Sequence, residues 1–305
     1  MSAPRYEVVV PTAGRDSLSA LLPALAAGDG PLPDRVLLVD DRPDKSAPLA
    51  PPRHLGPLAG RIAVLPGPAR GPAAARNVGW RAARADWVAF LDDDVIPAPG
   101  WRAALAADLA ELGAGVAASQ GRVRVPLPRD RPPTDWERNV GGLAEARWAT
   151  ADMAYRREAL AAVGGFDERF PRAYREDSDL ALRVLAAGYE LRTGRRCVLH
   201  PVGQAPAAVS LHKQAGNADD VLMRALHGRD WRSRAGVPAG RRPRHLATAA
   251  AGGGDAQAEV GVLAIGAREA LVEAADRAQG LAPVGHVRRR PAGALEPGDV
   301  ALPVR

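Results

Sequence analysis

The stretch that decides the reading is "ADWVAFLDDDVIPAPGW", residues 85–101. Its apolar run, Trp87 to Leu91, reads as a strand buried on both faces, and it leads without a spacer into Asp92, Asp93 and Asp94. Three adjacent carboxylates repel one another and lose hydration at a strand end, a cost that something cationic must offset. A solvated turn is one account of them. A divalent cation is the other, because hard ions such as Mg²⁺ take carboxylate oxygens together with substrate phosphates.

Outward from this stretch, strands and helices alternate. "YEVVV" (6–10), "RVLLVDD" (35–41) and "RIAVL" (61–65) have the apolar, β-branched content of buried strands. Helical spacing runs from Ser17 to Ala27, with Leu18, Leu21, Leu22 and Leu25 on one face, and again from Ala73 to Ala85. A third helix, Trp101 to Leu112, is striped by Trp101, Leu105, Leu109 and Leu112. This order predicts a doubly wound α/β sheet. Farther on, "GRVRVPL" (121–127) alternates like a half-exposed strand, 128–145 is irregular, and "ATADMAYRREALAAVGGF" predicts a helix stopped by Gly164 and Gly165. The acids Glu176, Asp177 and Asp179 open a further helix that stops at Gly188, and "CVLH" reads as a strand ending in His200. The patterning weakens near residue 235. We therefore divide the chain into a domain at 1–235 and an extension at 236–305, with one helix in "EVGVLAIGAREALVEAADRAQ" and a loose, Pro-, Gly- and Arg-rich end.

Bulk properties narrow the function classes. The chain has 305 residues, 47% of them hydrophobic and 25% charged, as in an ordinary globular protein. A net charge of +6 favours anionic partners such as nucleotides, phosphorylated lipids or a membrane surface. A single cysteine, Cys197, excludes an internal disulfide framework and a thiol-rich metal site. The start, "MSAPRYEVVVPTAGR", has no charged-then-apolar leader pattern, and no window offers the ~18 apolar residues of a spanning helix. The expectation is a soluble, cytoplasmic protein.

Acids end a second strand, at Asp40 and Asp41, and in open α/β sheets ligands bind in the crevice beyond the strands' C-terminal ends. Standing alone, that pair would be a turn or a cap. Arg76 and Asn77 open a helix, where an arginine can hold a phosphate or a base edge; a surface arginine is the simple alternative. Three acids at 176–179 exceed what the helix dipole asks for, and one of them suits a general base. His200 becomes interesting as a third ligand beside carboxylates, because an Asp/Asp/His set suits Mg²⁺ or Mn²⁺.

Taken in order, "VVVPTAGR", "LLVDD", "GPAAARNVGWRAARADWVAFLDDD", "TADMAYRREALAAVGGFDERF", "YREDSDLALRVLAAGYEL" and "VLHP" resemble the inverting family 2 glycosyltransferases with the GT-A fold, over residues 5 to about 230. The resemblance implies a Rossmann-like, mostly parallel sheet flanked by helices. It implies that Pro11, Thr12, Arg15, Asp40 or Asp41, and Arg76 contact the nucleotide of a sugar donor, and that Asp92 and Asp93 lie beside that donor. Asp92, Asp94 and His200 match the metal ligands, and Asp177 matches the base that deprotonates the acceptor hydroxyl. "TADMAYRR" matches the loop under the donor sugar, with Asp152 where the family often has Asn. The implied cofactor is Mn²⁺ or Mg²⁺ and the implied donor a nucleotide-diphosphate sugar, UDP by default, then dTDP or GDP.

Three other classes compete. A sugar-phosphate nucleotidyltransferase would carry a Gly-rich phosphate loop after its first strand, whereas "PTAGRDS" has one glycine. A catalytically inactive glycosyltransferase-like binding module is disfavoured by the presence of Asp92, Asp94, Asp177 and His200. A nucleic-acid binder would rest on Arg224, Arg229, Arg232, Arg234, Arg241, Arg242 and Arg244, but the aromatic platforms of single-strand binders are missing there. The same basic segment, 224–244, could instead give peripheral contact with an anionic membrane.

Overall fold

The computed structural model of the protein describes residues 4–203 and 216–238. The expected helix at 259–279 and nearly all of the 236–305 extension lie outside the described residues. In chain order the elements are β1 (Tyr6–Thr12), α1 (Leu18–Ala27), β2 (Val36–Asp40), β3 (Ile62–Pro66), α2 (Pro72–Ala82), β4 (Trp87–Leu91) and β5 (Ile96–Pro97). Then follow α3 (Trp101–Ala110), β6 (Val116–Arg124), α4 (Asp135–Gly141), β7 (Asp152–Arg156), α5 (Arg157–Val163), α6 (Glu176–Ala186), β8 (Glu190–Leu199), α7 (Asn217–His227) and α8 (Trp231–Arg234).

The strands make one mixed sheet in the order β3-β2-β1-β4-β7-β6-β8-β5. β3, β2, β1 and β4 run parallel, with Val8 opposite Val36 and Ala89, and Leu38 opposite Val64. Side-chain alternation explains their unbroken apolar runs. Tyr6, Val8, Val10, Val36, Leu38, Ala89 and Leu91 face a core shared with α1 and α3. Val9, Leu37, Val39, Val88 and Phe90 face a second core shared with α2, α5 and α6. Strands covered on both faces must be apolar at every position. Each fully buried Val or Leu contributes about 1.5–3 kcal/mol.

Beyond β4 the sheet is mixed: β7 runs antiparallel to both of its neighbours, whereas β6 and β8 pair parallel. β7 inserts between β4 and β6, with Leu91 opposite Asp152 and Ser119 opposite Ala154. The helix expected across this segment is therefore confined to α5. Its Ala, Arg and Glu content looked helical, but Met153 and Tyr155 alternate with Ala154 between the two cores, which is strand periodicity. β6 and β8 both begin earlier than expected. A helix, α4, occupies the segment read as irregular; Thr134 and Glu137 close a capping box that the T-x-x-E spacing carried.

The chain winds outward from β1 to β2 and β3, then returns to place β4 on β1's other side. That reversal puts a crevice at the C-terminal ends of β1 and β4. After β8, α7 and α8 pack Leu222, Met223 and Trp231 against Phe170 and Leu182, on the underside of α6. Among the described residues no helix is long and apolar enough to cross a membrane.

Candidate functional site

Past the end of β4 the backbone turns at Asp93 and Asp94, and the turn splits the aspartate triplet. Asp93 turns inward, 4% exposed, and accepts a hydrogen bond from Thr12 Oγ1 at 2.7 Å and one from Arg15 Nη1 at 2.8 Å. Asp92 and Asp94 stay partly open. Arg15 also donates to Asp94 Oδ2 at 2.7 Å, so one half-exposed guanidinium neutralises two of the three acids. Burial, and then the neighbouring Asp92, raise the Asp94 pKa above the ordinary carboxylate value.

Asp92 is held from the other side. Arg76, in the second turn of α2, is 1% exposed and forks between Asp92 Oδ1 at 2.7 Å and Glu176 Oε1 at 2.8 Å. The Phe166 ring lies 5.5 Å from the guanidinium carbon. Asn77, next in the helix, ties α2 to the turn before α6. It donates to the Phe166 carbonyl and accepts from the Phe166 N–H, each at 2.9 Å. Gly165 sits at φ +77°, where an added Cβ would lie 2.6 Å from Asn77 Oδ1, so this turn needs glycine.

The base catalyst implied by the resemblance stands at the start of α6. Asp177 Oδ1 accepts from the Ser178 N–H at 2.6 Å and from Ser178 Oγ at 3.2 Å. Burial raises its pKa above the usual aspartate range. Arg175, just before the helix, has a left-handed backbone at φ +74°, a conformation that costs a non-glycine residue about 1–3 kcal/mol. Its side chain compensates by donating to Asp220 Oδ1 at 2.8 Å and stacking on Tyr174 at 4.1 Å and Trp231 at 5.2 Å. Asp179, the third acid of the cluster, is a structural partner: it pairs with Arg183 at 2.6 Å and with His227 Nε2 at 2.7 Å, docking α7 onto α6.

Other expected positions are differently engaged. Asp40 accepts both Nε and Nη2 of Arg42 at 2.8 Å, which lowers its pKa. Asp41 accepts the N–H groups of Ala69 at 2.6 Å and Gly71 at 3.0 Å, shaping the loop that leads into α2. Pro11 and Thr12 are buried at the end of β1. Of the metal trio, Asp94 and His200 meet, with Nε2 3.4 Å from Oδ1. Asp92 is drawn to Arg76 instead, because a buried guanidinium must be matched by nearby anions. Among the described residues no three His, Cys, Asp or Glu side chains are gathered to hold a metal ion.

Asp152 corrects the sequence reading. It is 0% exposed and binds Arg196 Nε at 2.7 Å and Trp101 Nε1 at 2.9 Å inside the core, so its side chain does not line a sugar site. Arg196 also reaches Asp108 and Ser119, a network that the sequence reading missed. A trace of it was available: Asp108 follows Trp101 and Leu105 at helical spacing, on the apolar face of α3.

Comparison with known proteins agrees with this architecture. The family model described as Glycosyl transferase family 2 matches residues 7–175. The "Pre-mycofactocin glycosyltransferase" of Mycobacterium tuberculosis is 33% identical over 172 residues, covering 52% of this chain and 35% of the relative. The chain thus spans about a third of that relative's length. The mannosyltransferase PcManGT from Pyrobaculum calidifontis, solved with GDP-Man and Mn²⁺, superposes with a TM-score of 0.54 at 21% identity, over 92% of this chain and 88% of that one. S. aureus TarS 1–349, solved with UDP-GlcNAc, superposes with a TM-score of 0.50 at 17% identity, over 72% of this chain and 66% of that one. These two structures share the fold: a mixed sheet with flanking helices, the GT-A architecture. With more than half of its length matched by the family model, the chain belongs to glycosyl transferase family 2.

Proposed function

We propose that the chain transfers a sugar, with inversion, from a nucleotide-diphosphate donor to an acceptor hydroxyl, with Asp177 as general base and Mn²⁺ or Mg²⁺ as cofactor. The observation that carries this reading is the convergence of two acidic elements on one guanidinium: Arg76 touches both the end of β4 and the start of α6. An in-line displacement needs its leaving group and its acceptor on opposite sides of the sugar ring. An acidic donor end joined to an acidic acceptor end supplies that frame.

The donor set fits a hard divalent ion. Such ions need only one or two carboxylates, because waters and substrate phosphates complete their coordination. Asp94 and His200, with Asp92 beside them, would hold it. Bound there, it would neutralise charge on the departing diphosphate. The chain's own residues do the remaining work. Arg15, half exposed and paired with Asp93 and Asp94, would meet the same diphosphate. Asp177 would take the acceptor's proton, and its burial-raised pKa makes it the stronger base. TarS bound to UDP-GlcNAc and PcManGT bound to GDP-Man and Mn²⁺ support a nucleotide-sugar donor; UDP is the first choice, then dTDP and GDP.

The test is thermal unfolding with UDP, dTDP, GDP and ADP, each with and without Mn²⁺. A ligand held only by the native state at 100 times its Kd adds about 2.7 kcal/mol. One nucleoside diphosphate that stabilises only with Mn²⁺ is the expected result; no stabilisation under any condition overturns the donor assignment. We also place the protein in the cytoplasm, touching anionic membrane through exposed Arg224 and Arg229. Failure to float with vesicles containing anionic lipid removes the membrane contact.

A further inference from the structure

Resting on the reading above, we infer that Glu176 and Arg76 are positioning residues: they act through Asp177, setting its place against the donor end of the site. Four observations converge. Glu176 precedes Asp177 directly, so any shift of its backbone moves the base. The start of α6 has no side-chain cap and begins from the strained backbone of Arg175. Its anchor on the donor side is the Glu176 Oε1 bond to Arg76, which crosses 100 residues of sequence. Arg76 in turn holds Asp92 at 2.7 Å, so a single rigid fork sets the spacing between the two ends.

The fork is also incompletely satisfied. Arg76 Nε and Glu176 Oε2 are both buried without a hydrogen-bond partner among the described residues. A bridge kept for stability alone would be expected to satisfy these atoms, because each orphaned buried polar group is costly. Here the side chains reach as far as the alignment of two elements demands. Misplacing a reacting group by about 1 Å can cost ~100-fold in rate.

The experiment compares wild type, Glu176→Gln, Asp177→Asn and the double variant. UDP-GlcNAc and GDP-mannose serve as probe donors with Mn²⁺, and water serves as the acceptor. Nucleoside diphosphate release and nucleoside diphosphate Kd are both measured. Glu176→Gln is expected to slow release ~10–100-fold, to leave Kd within about twofold, and to add nothing in the Asp177→Asn background, since residues acting as a unit are not additive. The proposal fails if Glu176→Gln releases product at the wild-type rate, if its loss multiplies fully with that of Asp177→Asn, or if Kd weakens in step with the rate. Arg76→Lys keeps the charge but cannot fork to both carboxylates; should Glu176→Gln fail to fold, Arg76→Lys must slow release and add nothing in the Asp177→Asn background, whatever its Kd. Wild type that releases nothing from either donor overturns the enzymatic reading, and this inference with it. An active wild type beside an unaffected Glu176→Gln overturns this inference alone.

Discussion

Arg76 and Arg196 are each 1% exposed, and each lies between two carboxylates, yet the two assemblies are built differently. Arg196 is satisfied throughout. Its Nε meets Asp152 at 2.7 Å, Nη1 meets Ser119 Oγ at 2.8 Å and Asp108 at 3.4 Å, and Nη2 meets the Ser119 carbonyl at 2.5 Å. Trp101 takes the other Asp152 oxygen. Among the described residues Arg76 Nε has no partner, nor has one oxygen of the Glu176 it faces, and the Asp92 it holds has a side chain 28% exposed. The first assembly glues β7, β8 and α3 together. The second stands where the chain meets its proposed ligand, and such sites are where local rules of satisfaction are expected to yield.

The contrast predicts opposite losses. Asp177→Asn should lower sugar transfer by ~10²–10⁴, the usual worth of a general base, and leave the nucleotide-induced rise in melting temperature intact. Transfer at the wild-type rate would remove Asp177 from the mechanism. Arg196→Met should do the reverse. It strands Asp152 in the core, while Asp108 keeps Arg195, at a cost of about 3–5 kcal/mol in urea unfolding, and nucleotide affinity of the folded protein holds. Arg76→Met should cost less stability than Arg196→Met, because Asp92 reaches water. Equal losses would erase the distinction between the two assemblies.

Asp94→Ala should abolish the Mn²⁺-dependent part of nucleotide stabilisation, up to about 2.7 kcal/mol at 100 times Kd. A Mn²⁺ effect that survives would move the metal elsewhere. The smallest effects are those of pH, and their signs differ. Asp177 must be ionised to accept a proton, so transfer falls as pH drops through its raised pKa, and the acid limb of kcat/KM lies above the ordinary aspartate value of 3.8. Asp152 also has a raised pKa, through burial. A raised folded-state pKa adds stability that is present below the unfolded value and lost as pH rises through the folded one. Across that window the rate should climb while this component of stability declines. Titrating rate and urea midpoint together reads both.

Much of the parallel half of the sheet was legible. "YEVVV", "VLLVD" and "WVAFL" fall in β1, β2 and β4, because doubly covered strands announce themselves as continuous apolar runs. The acidic strand ends and the opening of α6 were legible for the same local reason. β7 was not, since five residues of Ala, Met, Tyr, Asp and Arg support either period until their neighbours are known. Asp152 was misread because its partner, Arg196, stands 44 residues away.

By itself, then, the sequence determined where carboxylates stand along the chain: past β4, past β2 and at the start of α6. Apolar periodicity and turn chemistry act over a few residues, and that range suffices to place a strand end. Which acids face ligand and which face an arginine was decided only by tertiary structure. Arg42 took Asp40, Arg76 took Asp92 and Glu176, and Arg196 took Asp152. In so arginine-rich a chain every acid has many candidate partners. The choice rests on burial, because a guanidinium removed from water must be met by whichever carboxylates the fold brings within reach.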